Sequence, residues 1–143
     1  MFKQLTVFLE NKPGRMEEVT GCLADENINL HALSLADSTD FGILRMIVSE
    51  PEKAAAVLSE KNFMVKTTEV IGVAMGHSPG SLHNVLKEIK ALNISIEYMY
   101  AFTSHHKDYS SIVVLRVADQ DAVIGKLKDS NITLLGGEFL NEL

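Results

Sequence analysis

The chain has 143 residues, 46% hydrophobic and 22% charged, with thirteen basic and nineteen acidic side chains and a formal charge of −6. The acidic excess is even, with 7 basic and 10 acidic residues over 1–68 and 6 and 9 over 69–143, so neither half carries the basic patch of a nucleic-acid binder. No run of about 18 apolar residues marks a membrane span, the N-terminus MFKQLTVFLENK lacks the apolar length and cleavage site of a signal peptide, and one cysteine, Cys22, excludes an internal disulfide; together these read as a soluble protein of the reducing cytoplasm.

In chain order, LTVFLE (5–10) alternates Leu5, Val7 and Leu9 on one face, which predicts a strand. Met16, Val19, Thr20 and Leu23 then fall at the spacing of an amphipathic helix. Pro13 is suited to the first position of that helix, and Asn27 to its left-handed end. Two strands follow at 28–36 and 41–49, joined by the turn-like DSTDFG. A second helix starts at Pro51 and turns Ala54, Val57 and Leu58 inward, and a strand near 63–68 ends the series.

The series then repeats. With an offset of 66, Pro13-Gly14 falls on Pro79-Gly80, Asn27-Ile28 on Asn93-Ile94 and Leu30 on Ile96. The stripe Leu82, Val85, Leu86 and Ile89 renews the helix pattern. Past an insertion around TSHHKDYSS, Leu44-Arg45 matches Leu115-Arg116 and Asn62 matches Asn131. A helix after Asp119 carries Val123, Ile124 and Leu127, and a last strand is expected near 132–140. Two β-α-β-β-α-β series make two tandem ferredoxin-like units in the α+β class, antiparallel sheets with helices on one face. The boundaries are 1–68 and 69–143. Glu69 to Met75 joins them without a linker, so the two are expected to pack as one body. Units of about 70 residues are marginal alone and lean on a neighbour or on a second chain.

ENKPGRM (10–16) and GHSPGSL (76–82) occupy the same place in each unit, between first strand and first helix. Glycine lets a backbone or small ligand approach, and the free N–H groups of a helix start favour a carboxylate. Asn11 adds a donor and an acceptor. A pocket for a small zwitterion is one reading, and a helix cap with a tight turn is the other. The residues alone leave both open.

A unit opening N-x-P-G before helix one, with N-I-N at the start of strand two, resembles the ACT domain, an amino-acid-sensing module of many enzymes of amino-acid metabolism. The resemblance spans the chain as two copies and leaves no segment for a catalytic domain. In serine-sensing members, an Asn before Pro-Gly and an Asn at the start of strand two hold the effector, and these match Asn11 and Asn29. The family's His two residues before the first Asn is Leu9 here, a departure that bears on serine. In the second copy His77 and Ser95 replace the two Asn. The resemblance thus implies ligand contacts at Asn11, Pro13, Gly14 and Asn29, with His77, Gly80 and Ser95 as a second set, the effector lying between packed domains. It implies a regulator with no catalytic residue, metal or cofactor, which binds a free amino acid, forms a homodimer and acts on an amino-acid biosynthetic enzyme in trans. The alternative is an assembly subunit that binds no small molecule.

Other candidates have plainer explanations. His105-His106-Lys107-Asp108 is expected to be an exposed loop, and His77 and His83 are badly spaced for a tetrahedral metal. His31 is expected to pack or to face the effector cleft. Cys22 lies inside helix one, without the flanking base of a nucleophile, and Glu17-Glu18 complement a helix dipole. Arg45 and Arg116 are expected at equivalent strand positions with their heads at the sheet edge. RNA-recognition domains share the element order, but Leu44 and Met46 stand where stacking aromatics are needed. The strands are apolar on both faces, Ile43 and Ile47 opposing Leu44, Met46 and Val48, which suits a dimer.

Overall fold

A computed structural model describes residues 1–143. In order the elements are β1 (Phe2–Glu10), α1 (Arg15–Asp25), β2 (Leu30–Asp37), β3 (Phe41–Val48), α2 (Pro51–Glu60), β4 (Met64–Met75), α3 (Ser81–Ala91), β5 (Ile96–Thr103), β6 (Ser111–Val117), α4 (Gln120–Lys128), β7 (Thr133–Leu135) and a terminal 3-10 helix (Gly137–Glu142). Two compact units result, Lys3–Glu69 and Val70–Leu143 with Met1–Phe2. β4 is a single strand of 12 residues, whose residues to Glu69 belong to one unit and those from Val70 to the other. The two units are tandem ferredoxin-like repeats of the predicted kind. The first sheet runs β2-β3-β1-β4; in the second, β6 lies between β5 and β4, and β7 pairs with β4.

The core of the first unit follows from strand alternation. Leu5, Val7 and Leu9 of β1 meet Leu44, Met46 and Val48 of β3 under Val19 and Leu23 of α1 and Ala54 and Leu58 of α2. Each large side chain buried there contributes on the order of 1.5–3 kcal/mol. Leu44 and Met46, where stacking aromatics would be needed, are wholly buried. The second core is built alike from Ile71, Val73, Val113, Leu115 and Val117 with Ile89, Val123 and Leu127.

The Asn residues end their helices as their tolerance of positive φ suggests. Asn27, Asn62 and Asn93 have φ of 55°, 64° and 56°. Each directs the next amide back onto the helix: Ile28 N–H to Leu23 O at 2.9 Å, Phe63 to Leu58 at 3.0 Å and Ile94 to Ile89 at 3.3 Å. This arrangement satisfies carbonyls that a helix end leaves open. Asn131 has no such angle; α4 is closed instead by the Ser130 hydroxyl, which donates to Leu127 O at 2.7 Å.

Several expectations change. α1 and α3 begin one residue after Gly14 and Gly80, so Pro13 and Pro79 lie in the turn before the cap and not at the first helical position. Pro51 does start its helix. Arg45 is not the counterpart of Arg116. Leu5 pairs with Met46 and Ile71 with Leu115, so Ile47 occupies the place of Arg116, and Val114 that of Arg45. The longer β5–β6 hairpin moved this register, and the shared Leu-Arg was a coincidence of sequence. The last strand stops at Leu135, after which Gly136-Gly137 leads into the 3-10 helix that buries Phe139 and Leu140. Finally, His106 is not an exposed loop residue. Its side chain is 12% exposed, its Nε2 lies 2.8 Å from Glu142 Oε2, and its ring stacks on Tyr109 and leans on Phe139. The insertion therefore docks on the terminal helix.

Candidate functional site

Both Pro-Gly loops take the same backbone path. Gly14 and Gly80 have φ of 85° and 87°, and a Cβ at either would meet nothing within 4 Å. The glycine is needed for its left-handed angle, not for lack of space, and the surface above each helix start stays open. Gly72 shows the opposite case, since a Cβ there would lie 2.2 Å from the Phe2 ring.

Asn11, Pro13 and Gly14 are exposed together at the start of α1, and His77 and Gly80 at the start of α3. Asn29 is also exposed, but at the other end of α1. Its backbone is fixed by Ser49, whose N–H donates to Asn29 O at 2.9 Å and whose Oγ accepts from Asn29 N–H at 3.0 Å. Ser95 stands in the corresponding place past α3, in a cleft of about 280 Å3 with Leu86, Lys90 and Ile94. Each of these helices has 11 residues, which at 1.5 Å per residue separates its ends by about 16 Å. Within a unit, therefore, Asn11 and Asn29 are not brought together, nor are His77 and Ser95.

The two loops differ in charge. In the first, Lys12 Nζ contacts Glu10 at 2.8 Å, which draws the Glu10 carboxyl below its usual range, chiefly through that hydrogen bond. Arg15 contacts Glu18 at 2.6 Å and lies 4.5 Å above the Phe63 ring. Glu17 and Glu18 occupy the first turn. Sequence reading missed Arg15 and Phe63, because their contact joins residues nearly fifty apart. In the second, His77 Nδ1 lies 3.2 Å from Ser111 Oγ at the head of β6, the Ser78 amide donates to Ser81 Oγ at 3.3 Å, and the two hydroxyls are 2.9 Å apart. This loop borders an open cleft of about 530 Å3 reaching Met75, Leu82 and Leu86, within the range of small-molecule sites.

β2 and β5 carry a bulge at the same place, where His31 and Glu97 are skipped in the pairing with β3 and β6. Glu97 is paired with Arg116 at 3.6 Å. The Nε2 of His31 is buried and has no hydrogen-bond partner, and burial lowers the pKa of the ring. No group of three or more His, Cys, Asp or Glu side chains is placed to hold a metal ion, and no helix is long and apolar enough to cross a membrane.

A family model described as an ACT domain pair matches residues 1–139. Among solved structures, protein BT0572 from Bacteroides thetaiotaomicron is 45% identical with a TM-score of 0.88, covering 99% of this chain and 96% of its own. The regulatory subunit of aspartate kinase from Thermus thermophilus, in its ligand-free form, is 15% identical with a TM-score of 0.62, covering 90% and 91%. A structure of aspartokinase alpha and beta subunits is 16% identical with a TM-score of 0.58, covering 89% and 90%. These last two show likeness of fold. No protein of the curated set is similar in sequence.

Proposed function

We propose that this chain, which belongs to the ACT domain family as a pair of domains, is a regulatory protein that binds a free amino acid and acts in trans on an enzyme of amino-acid biosynthesis, with no chemistry of its own. The observation that carries this reading is the repeated loop: a left-handed glycine opening a helix start, twice, beside exposed side chains able to bond a zwitterion. The action in trans is supported by the aspartate kinase regulatory subunit, a separate chain covered over 91% of its length by the same fold.

The helix length bears on how such a site is completed. A single amino acid cannot span about 16 Å, so a loop and a strand start that share one effector come from different domains. In a homodimer, Asn11, Pro13 and Gly14 of one chain face the Asn29 region of a second chain, and His77 and Gly80 face its Ser95 region. Binding then favours one arrangement of chains over another, the differential affinity that any allosteric output requires.

A thermal-shift screen against the twenty amino acids at millimolar concentration tests this. A ligand at a hundred times its dissociation constant adds roughly 2.7 kcal/mol, a rise of about 5–10 °C for a chain of this size. One or two selective hits, lost when Asn11 and His77 are both replaced by Ala, support the sensor. A flat screen leaves the assembly subunit as the better account.

A further inference from the structure

The two loops are not equal copies. α1 and α3 share the offset of 66 at both ends, as do β2 and β5, so each position of one loop has a defined counterpart in the other. Glu10, Lys12, Arg15, Glu17 and Glu18 correspond to Gly76, Ser78, Ser81, His83 and Asn84. Every formal charge around the first loop is absent from the second. Thr20, whose hydroxyl donates to the carbonyls of Met16 and Glu17 at 3.1 Å, corresponds to Leu86.

Packing differs along with charge. In the first unit Val19, the counterpart of Val85, is 0% exposed, Met16 and Thr20, the counterparts of Leu82 and Leu86, are half-buried, and the guanidinium of Arg15 covers Phe63. In the second, Leu82 is 37% exposed and Val85 and Leu86 are half-buried, while Ile89, the counterpart of Leu23, is sealed at 3%. Met75, Leu82 and Leu86 are the large apolar side chains lining the cleft of about 530 Å3, whose polar lining is His77, Ser78, Ser81 and His83. The acids at the start of α1 already complement its dipole and repel a second carboxylate, whereas the first turn of α3 has none.

We propose that the cleft of the second domain is the working effector site, and that it selects a free amino acid with an apolar, uncharged side chain. The ligand's carboxylate and ammonium lie at the rim of His77, Ser78 and Ser81, and its side chain rests on Met75, Leu82 and Leu86. A charged side chain placed on that wall loses hydration and finds no opposite charge. A hydroxymethyl side chain leaves most of the apolar wall in water. Discrimination therefore comes from both a gain and a penalty. This inference rests on the amino-acid-binding reading above and narrows it to one domain and one ligand class.

The test is an amide-resolved NMR titration of the full chain with L-leucine, L-isoleucine, L-methionine and L-phenylalanine, against L-serine, L-aspartate and L-lysine. At least one apolar amino acid is expected to bind ten-fold or more tightly than L-serine, L-aspartate and L-lysine, moving amides between Gly76 and Leu86. Leu82→Gln is expected to weaken that ligand at least ten-fold while leaving distant amides in place, since the side chain is part-exposed and the fold does not depend on it. Retained affinity in a folded Leu82→Gln variant overturns the apolar wall. Preference for a charged or small polar amino acid, or shifts gathered at Asn11–Met16, overturns the inference and leaves the regulatory function standing. Absence of shifts with all seven overturns the inference, and the screen against all twenty amino acids decides the reading it rests on.

Discussion

His31 occupies the extra position of the β2 bulge, where pairing passes from Leu30 to Ala32. A bulge re-aims the side chain it carries, and here it leaves Nε2 buried without a hydrogen-bond partner. Burial penalises the imidazolium and lowers the folded pKa below the ordinary 6.5. Because the folded value is depressed, the unfolded chain takes up the proton first as the pH falls. Stability from this residue is therefore complete above about pH 6.5 and declines on acidification, until the folded ring also protonates. Melting temperatures at pH 7.5 and 5.5 should differ less for His31→Gln than for the parent chain. An equal difference in both would mean that the burial of His31 has no energetic consequence. Gly14 and Gly80 show what was readable at this scale. Their need for a special backbone was visible in the Pro-Gly pairs, since a turn is specified by its own residues. The buried Nε2 of His31 was not visible, because burial is decided by neighbours distant in the chain.

At the scale of elements, stop signals read well and start signals read less well. Three helices end on Asn in the left-handed region; the sequence marked Asn27 and Asn93 as such ends, and Asn62 joins them. The starts differ. α1 and α3 begin behind a glycine with no side-chain cap, whereas the Asp119 carboxylate at the start of α4 accepts from Ala122 N–H at 3.2 Å. Asp119→Ala should cost about 1 kcal/mol and lower the calorimetric melting temperature by about 3–4 °C. Asp119→Asn should restore most of it, because the amide oxygen can still accept. If both substitutions melt alike, the cap has no part in stability. The last strand was overestimated for a reason at this scale. Alternation continues past Leu135, but Gly136 and Gly137 add no packing, and Phe139 and Leu140 are buried from a 3-10 turn instead.

For the whole molecule, the open question of assembly lies at a sheet edge. β2 is terminal in its sheet, and Leu33 and Leu35 on it are 49% and 53% exposed. Edge strands invite pairing, and natural ones are usually protected by charge; this one carries large apolar side chains. Sedimentation should give a mass about twice the 15.7 kDa of the chain, and Leu33→Lys with Leu35→Lys should raise the dissociation constant at least ten-fold. A concentration series that stays at the single-chain mass sinks the homodimer. From sequence alone came the element order, the duplication, and the two Pro-Gly loops with their Asn-ended helices. Each depends on residues within one or two turns of one another, where periodicity and backbone preference act. Tertiary structure decided the β3 and β6 registers, the docking of His106 on the terminal helix, and the contrast between the loops. The sequence showed which charges the second loop lacks. That Leu82 is exposed and Val85 half-buried, while their counterparts Met16 and Val19 are half-buried and sealed, depends on how helix and sheet meet, which no local pattern records.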